Sequence, residues 1–69
     1  IKIINIDSTI ILENPKLSDY ISIMKNNISS SLNIDINKLS IKATTTDKLG
    51  SIGLEEGIAA QAICLVKLN

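Results

Sequence analysis

Residues Ile1 to Glu13 are rich in β-branched side chains, and Ile4, Ile6, Ile10 and Leu12 alternate with Asn5, Asp7 and Thr9. A repeat of two is the period of a half-buried strand. Ile1, Ile3 and Ile11 fall on the other face, which predicts a strand covered on both sides or packed against another subunit. Asn14-Pro15-Lys16-Leu17 ends it, because proline removes a ladder donor and pushes the residue before it toward an extended conformation. Beyond the break, Leu17, Tyr20 or Ile21, Met24, Ile28 and Leu32 recur at helical spacing, while Asp19, Lys25, Asn26 and Asn27 fall mostly elsewhere on the wheel. The pattern predicts an amphipathic helix from about Asp19 to Leu32, with Ser18 as its N-cap, Asp19 in its first turn, and Tyr20 and Met24 as core residues.

Asn33 to Lys38 is polar punctuation that predicts a loop with one helical turn, and Leu39 to Ala43 is short, alternating and strand-like. Gly50, Gly53 and Gly57 predict a loop with short helical turns. From Ile58 to Leu68 the residues Ile58, Ala60, Ala62, Cys64, Val66 and Leu68 alternate with Ala59, Gln61, Ile63, Leu65 and Lys67, predicting a long strand. Its small residues suit close packing at an oligomer axis, and Cys64, on the more apolar face, is expected to be a buried, inert thiol. The order strand, helix, strand, turn-rich loop, strand predicts an α/β protein of the α+β type, a mixed sheet packed with helices. The strands are too apolar for a sheet with one face in water, so burial against other subunits is expected.

Composition narrows the function classes. A chain of 69 residues is one domain at most and lies at the small end of what buries a self-sufficient core. One cysteine allows no internal disulfide, and histidine, the commonest zinc ligand, is absent. Seven lysines and no arginine balance seven acids, and Tyr20 is the single aromatic, which argues against nucleic acid as a partner. No apolar run approaches the roughly 20 residues of a membrane span, and the chain starts on a strand-like run without a basic leader. The expectation is a protein without membrane partners, soluble and intracellular. The abrupt start at Ile1 suggests a chain cut at an element boundary, and the use of Ile, Asn and Lys suggests an AT-rich genome.

The stretch Lys42-Ala43-Thr44-Thr45-Thr46-Asp47-Lys48-Leu49-Gly50 concentrates hydroxyls, a carboxylate and an ammonium group within one turn. Threonine hydroxyls can donate to phosphate oxygens, an Asp carboxylate can hold a hard cation and Lys adds positive charge. Equally, such a run can start a short helix, with Thr as N-cap and Asp in the first turn. The two readings are compatible, since a helix N-terminus offers free N–H groups to anions.

The runs Asn5 to Ile11, Pro15-Lys16-Leu17, Met24, Lys42 to Gly50 and Glu56 to Ala62 resemble, in order and spacing, the C-terminal part of the 2-C-methyl-D-erythritol 2,4-cyclodiphosphate synthase family. The resemblance covers essentially the whole chain. It implies an enzyme of the non-mevalonate isoprenoid pathway, in the cytoplasm of a bacterium or in a plastid, relic plastids included. It implies a homotrimer whose strands are buried about its axis and whose sites lie between subunits. One subunit there supplies a zinc site and the methylerythritol phosphate pocket, and its neighbour supplies the cytidine pocket. The reaction implied is intramolecular phosphoryl transfer on a CDP-linked substrate, a matter of positioning and charge neutralisation.

Carried onto matching positions, the resemblance places Leu12, Glu13, Asn14, Pro15, Lys16, Leu17 and Ser18 around the cytosine, chiefly through backbone groups. It places Ala43, Thr44, Thr45 and Thr46 on the nucleotide's other side, with Thr45 as the catalytic donor to a phosphate oxygen. Asp47 falls where the family usually has Glu, a position associated with magnesium or manganese bridging two phosphates. Ser51 stands where many members carry an aromatic residue and Leu54 where they carry Arg. Losing that guanidinium implies that an isoprenoid-type diphosphate is not held in the trimer channel in the same way. The family's zinc ligands, an Asp-x-His and a further His, belong to its N-terminal half. Residues 1–69 are thus expected to be the C-terminal, cytidine-nucleotide-binding part of a single larger domain, with no zinc ligand of their own. The competing expectation is a non-catalytic α/β trimerisation or binding module.

Overall fold

The structure, a computed structural model, describes residues 1–68; Asn69, the last residue of the expected domain, lies outside them. Strand β1 spans Lys2–Ile11, helix α1 Ile21–Leu32, strand β2 Leu39–Thr44, the single helical turn α2 Gly50–Gly53, and strand β3 Ala59–Lys67. Two 3-10 turns, Ser18–Tyr20 and Ile36–Lys38, precede α1 and β2. Among the described residues the three strands form one mixed sheet of order β2-β1-β3. β1 pairs with β2 in parallel, Ile6 opposite Leu39 and Ile11 opposite Thr44. It pairs with β3 antiparallel, Ile11 opposite Ala59 and Lys2 opposite Lys67. A parallel pair cannot be closed by a hairpin, so α1 serves as the crossover.

The register separates two faces. Ile6, Ser8 and Ile10 share one with Leu39, Ile41 and Ala43 of β2 and with Cys64, Ala62 and Ala60 of β3. On this face Leu39 and Ile41 are buried, and α1 packs across β2. The opposite face carries Asp7, Thr9, Lys42, Thr44, Gln61, Ile63 and Leu65. Lys42 and Asp7 form an ion pair on it, both half-exposed, so its contribution to stability is small. The register slips between Ile3 and Asn5, leaving Ile4 as the extra residue of a bulge. That shift explains why the isoleucines at the start of β1 do not follow one strict alternation.

The helix starts at Ile21, within two residues of the expected Asp19, and ends at the expected Leu32. Ser18 opens a 3-10 turn instead of capping α1, and no side chain caps the first turn of α1, whose N-cap position is Tyr20. The choice between Tyr20 and Ile21 as the inward residue falls to Ile21, which is half-buried with Met24, whereas Tyr20 is 53% exposed. At the other end Asn33 takes the left-handed conformation and the Ile34 N–H returns to the Ser29 carbonyl at 3.0 Å, closing the helix. With its many Ser and Asn residues α1 has little intrinsic helicity, and its packing on β2 supplies the rest.

β3 lies open. Ile63 is 75% exposed and Leu65 56% exposed, and Cys64 on the other face is exposed too, against the expectation of a buried thiol. α1 packs chiefly on β2, and among the described residues β3 is left exposed from Ala60 onward. The only buried large apolar side chains among the described residues are Leu39 and Ile41, a core too small to stabilise a sheet of this length.

Candidate functional site: a cleft between two strand-end loops

Both loops of interest leave the carboxyl ends of the parallel pair. The ladder continues one step past β1, where the Leu12 N–H donates to the Thr44 carbonyl at 3.0 Å. From there Leu12 to Ser18 diverges on one side and Thr45 to Leu49 on the other. Crevices at the carboxyl ends of parallel strands are where open α/β sheets bind ligands. Here Leu12, Lys16, Leu17, Ser18, Ala43, Thr44 and Thr45 line a cleft of about 190 Å³. Typical small-molecule sites occupy about 300–1,000 Å³, so this one has room for part of a ligand, such as a pyrimidine base. Two larger depressions lie beside the amino-terminal half of β1, and neither joins the two loops.

Of the predicted residues, Glu13, Asn14, Pro15, Thr46 and Asp47 stand outside that lining. Asn14 and Pro15 form the exposed bend of the first loop and are joined by a cis peptide bond. The Glu13 side chain turns away from the first loop to the second, where its Oε1 accepts the Lys48 N–H at 2.8 Å. Pattern reading missed this contact, which joins positions 35 residues apart and has no periodic signature.

The threonine run does not start a helix. Thr44 ends β2, and the N-cap position of α2 is Leu49, without a side-chain cap. The hydroxyls instead fold the loop upon itself. Thr45 Oγ1 accepts the Asp47 N–H at 3.1 Å, and the Thr46 hydroxyl donates to the Leu49 carbonyl at 2.7 Å while the Leu49 N–H donates to the Thr46 carbonyl at 3.1 Å. Thr46 is thereby committed within the loop. Thr45 Oγ1 is an acceptor in its internal bond, which leaves the capacity of its hydroxyl to donate unused by that bond.

Asp47, Lys48 and Gly50 all lie in the left-handed region, at φ of 54°, 65° and 68°. For Asp and Gly this is tolerable; for Lys it is a strained position that its surroundings must impose. Gly53 is buried against it: a Cβ at this residue would fall 2.6 Å from the Lys48 Cα. The close approach requires glycine.

Asp47 is exposed at the tip of this loop. Its carboxylate is an oxygen donor of the kind a hard divalent cation takes, and a single one would leave most of the coordination to other groups. Zinc does not fit the residues present: the sequence has no histidine, and no cluster of three or more His, Cys, Asp or Glu capable of holding a metal exists among the described residues. No helix among them is long and apolar enough to cross a membrane.

The chain is similar to known proteins over nearly its whole length. A 2-C-methyl-D-erythritol 2,4-cyclodiphosphate synthase of Clostridioides difficile is 55% identical over 68 residues, covering 99% of this chain and 42% of the relative. One of Chlorobium phaeobacteroides is 52% identical over 63 residues, covering 91% and 40%. The chain therefore spans about two fifths of the curated relatives it matches. Among solved structures, IspF of Plasmodium falciparum in complex with CDP superposes with a TM-score of 0.91 at 39% identity, covering 99% of this chain and 44% of that one. The bifunctional IspDF of Campylobacter jejuni gives 0.86 at 43% identity, covering 88% and 16%. The model of the YgbB family matches residues 1–67, and the chain belongs to that family.

Proposed function

We propose that this chain is the cytidine-nucleotide-binding part of a 2-C-methyl-D-erythritol 2,4-cyclodiphosphate synthase. The observation that carries the reading is the cleft at the ends of β1 and β2, where the Leu12–Ser18 loop meets Ala43, Thr44 and Thr45. Leu12 and Leu17 supply apolar surface for a flat base, and backbone groups of the same loop would read its edge. Thr45 offers a hydroxyl donor on the opposite wall, and Asp47 lies beyond it.

In the reaction, 4-diphosphocytidyl-2-C-methyl-D-erythritol 2-phosphate becomes the 2,4-cyclodiphosphate and CMP. An oxygen of the 2-phosphate attacks the β-phosphorus of the same molecule, the bond from that phosphorus to the oxygen shared with the α-phosphorus breaks, and CMP leaves with that oxygen. No protein nucleophile takes part. This chain holds the nucleotide still and gives Thr45 as a hydrogen-bond donor to phosphate oxygen as charge develops. Asp47 would hold magnesium or manganese, which neutralises phosphate charge when bound. The zinc site and the methylerythritol pocket would come from the remaining length of the protein and from a neighbouring subunit, in a homotrimer that covers the open face of β3. We place the protein in the bacterial cytoplasm or a plastid, where this pathway runs.

The test is calorimetric titration of the full-length protein with CDP, alongside Thr45→Ala and Pro15→Gly variants. Weakened binding in both is expected, and undiminished affinity in both would remove the pocket assignment.

A further inference from the structure

The two walls of the cleft are joined at their bases by the sheet ladder, and farther out by the side chain of Glu13. Glu13 Oε1 accepts the Lys48 N–H at 2.8 Å across 35 residues of sequence. Glu13 belongs to the loop that carries Lys16 and Leu17, and Lys48 to the turn that follows Thr45 and Asp47. Lys48 is also the residue in this turn least suited to its backbone conformation, at φ of 65°. Its amide has a charged acceptor, the Asp47 amide is held by Thr45, the Leu49 amide returns to Thr46, and Gly53 backs the turn. Three successive amides are thus committed, two of them inside the loop and one to the opposite wall. The Glu13 bond is the restraint that ties the turn to the first loop rather than to itself.

We propose that Glu13 is a positioning residue which sets the gap between the two walls, and so the affinity for ligands that touch both. The inference rests on the nucleotide reading above and deepens it. Glu13 does not line the cleft, so its effect reaches the ligand through the Lys48 turn and the threonines before it. Cytidine would meet the second wall only at Ala43, Thr44 and Thr45, next to the sheet ladder that fixes their spacing, and so gains little from the Glu13 restraint farther out. A ligand spanning from base to diphosphate, such as CDP, depends on it.

The experiment titrates CDP and cytidine separately into the full-length protein and its Glu13→Ala and Glu13→Gln variants, and follows amide hydrogen exchange at Lys48 without ligand. Loss of a hydrogen bond to a carboxylate at a solvent-accessible position corresponds to about a tenfold effect. Glu13→Ala is expected to weaken CDP by about that factor, leave cytidine within about twofold and speed exchange at Lys48. Glu13→Gln, which keeps an acceptor oxygen, is expected to preserve all three. If the alanine variant does not fold, Glu13→Asp, one methylene shorter, carries the same comparison. Equal weakening of CDP and cytidine, unchanged Lys48 exchange, or a Gln variant as impaired as the Ala variant would overturn the positioning role while leaving the nucleotide site intact. Failure of the unmodified protein to bind CDP would overturn the nucleotide reading and the role built on it together.

Discussion

Thr45 Oγ1 accepts the backbone N–H of Asp47 at 3.1 Å, so the hydroxyl proposed to face a phosphate also holds the carboxylate proposed to face a cation. Removing it affects both. Thr45→Ala is expected to lower kcat of the full-length enzyme by about a hundredfold, the scale of a lost donor to developing negative charge. Thr45→Ser keeps the oxygen and is expected to retain most activity. Steady-state kinetics separating kcat from KM checks this, and a loss confined to KM would assign Thr45 to binding alone.

Asp47→Asn keeps a side chain that tolerates the left-handed backbone at φ of 54° and discards the charge. It is expected to leave the thermal midpoint nearly unchanged and to abolish the gain in CDP affinity on adding magnesium. Titrations with and without the metal give the answer. A magnesium-dependent gain equal to that of the unmodified protein would exclude Asp47 as a ligand.

Gly53→Ala inserts a methyl group where the Lys48 backbone already lies, 2.6 Å from its Cα. Because backbone cannot rotate aside as a side chain can, the variant is expected to lose about 2 kcal/mol of stability. Urea unfolding measures it. Gly57→Ala is the control, since a Cβ there meets nothing within 4 Å.

Ile63 and Leu65 stand exposed on the face opposite α1, and in the proposed trimer they are covered. Ile63→Glu places a charge in that contact and is expected to shift the sedimentation of the full-length protein from trimer toward monomer. An unchanged trimer would locate the subunit interface elsewhere.

The strands were legible because alternation is local: β1, β2 and β3 each lie within a residue or two of the stretch whose period predicts them. The cap of α1 was not, because Ser18 looks like a cap by composition, while Ser18–Tyr20 form a 3-10 turn closed by the Tyr20 N–H on the Leu17 carbonyl. Tyr20 and Cys64 were misjudged for a related reason. Periodicity says which residues share a face, but whether that face is covered depends on what packs against it, and α1 packs chiefly on β2. At the cleft, the resemblance supplied a role for Thr45 that spacing alone left open against a simple helix start. The hydroxyl bonds of Thr45 and Thr46 show a self-closed turn, an outcome the run of three threonines did not distinguish from a cap.

With sheet order β2-β1-β3, the outer side of β3 is an edge, nine residues long, without proline and with its apolar side chains in solvent. Such an edge is a template for adding another strand, and nothing in Ala59–Lys67 other than Lys67 discourages it. Handled by itself at high concentration, this polypeptide is therefore set to extend its sheet with copies of itself, and the shortest route to a well-behaved sample is to give β3 a neighbour.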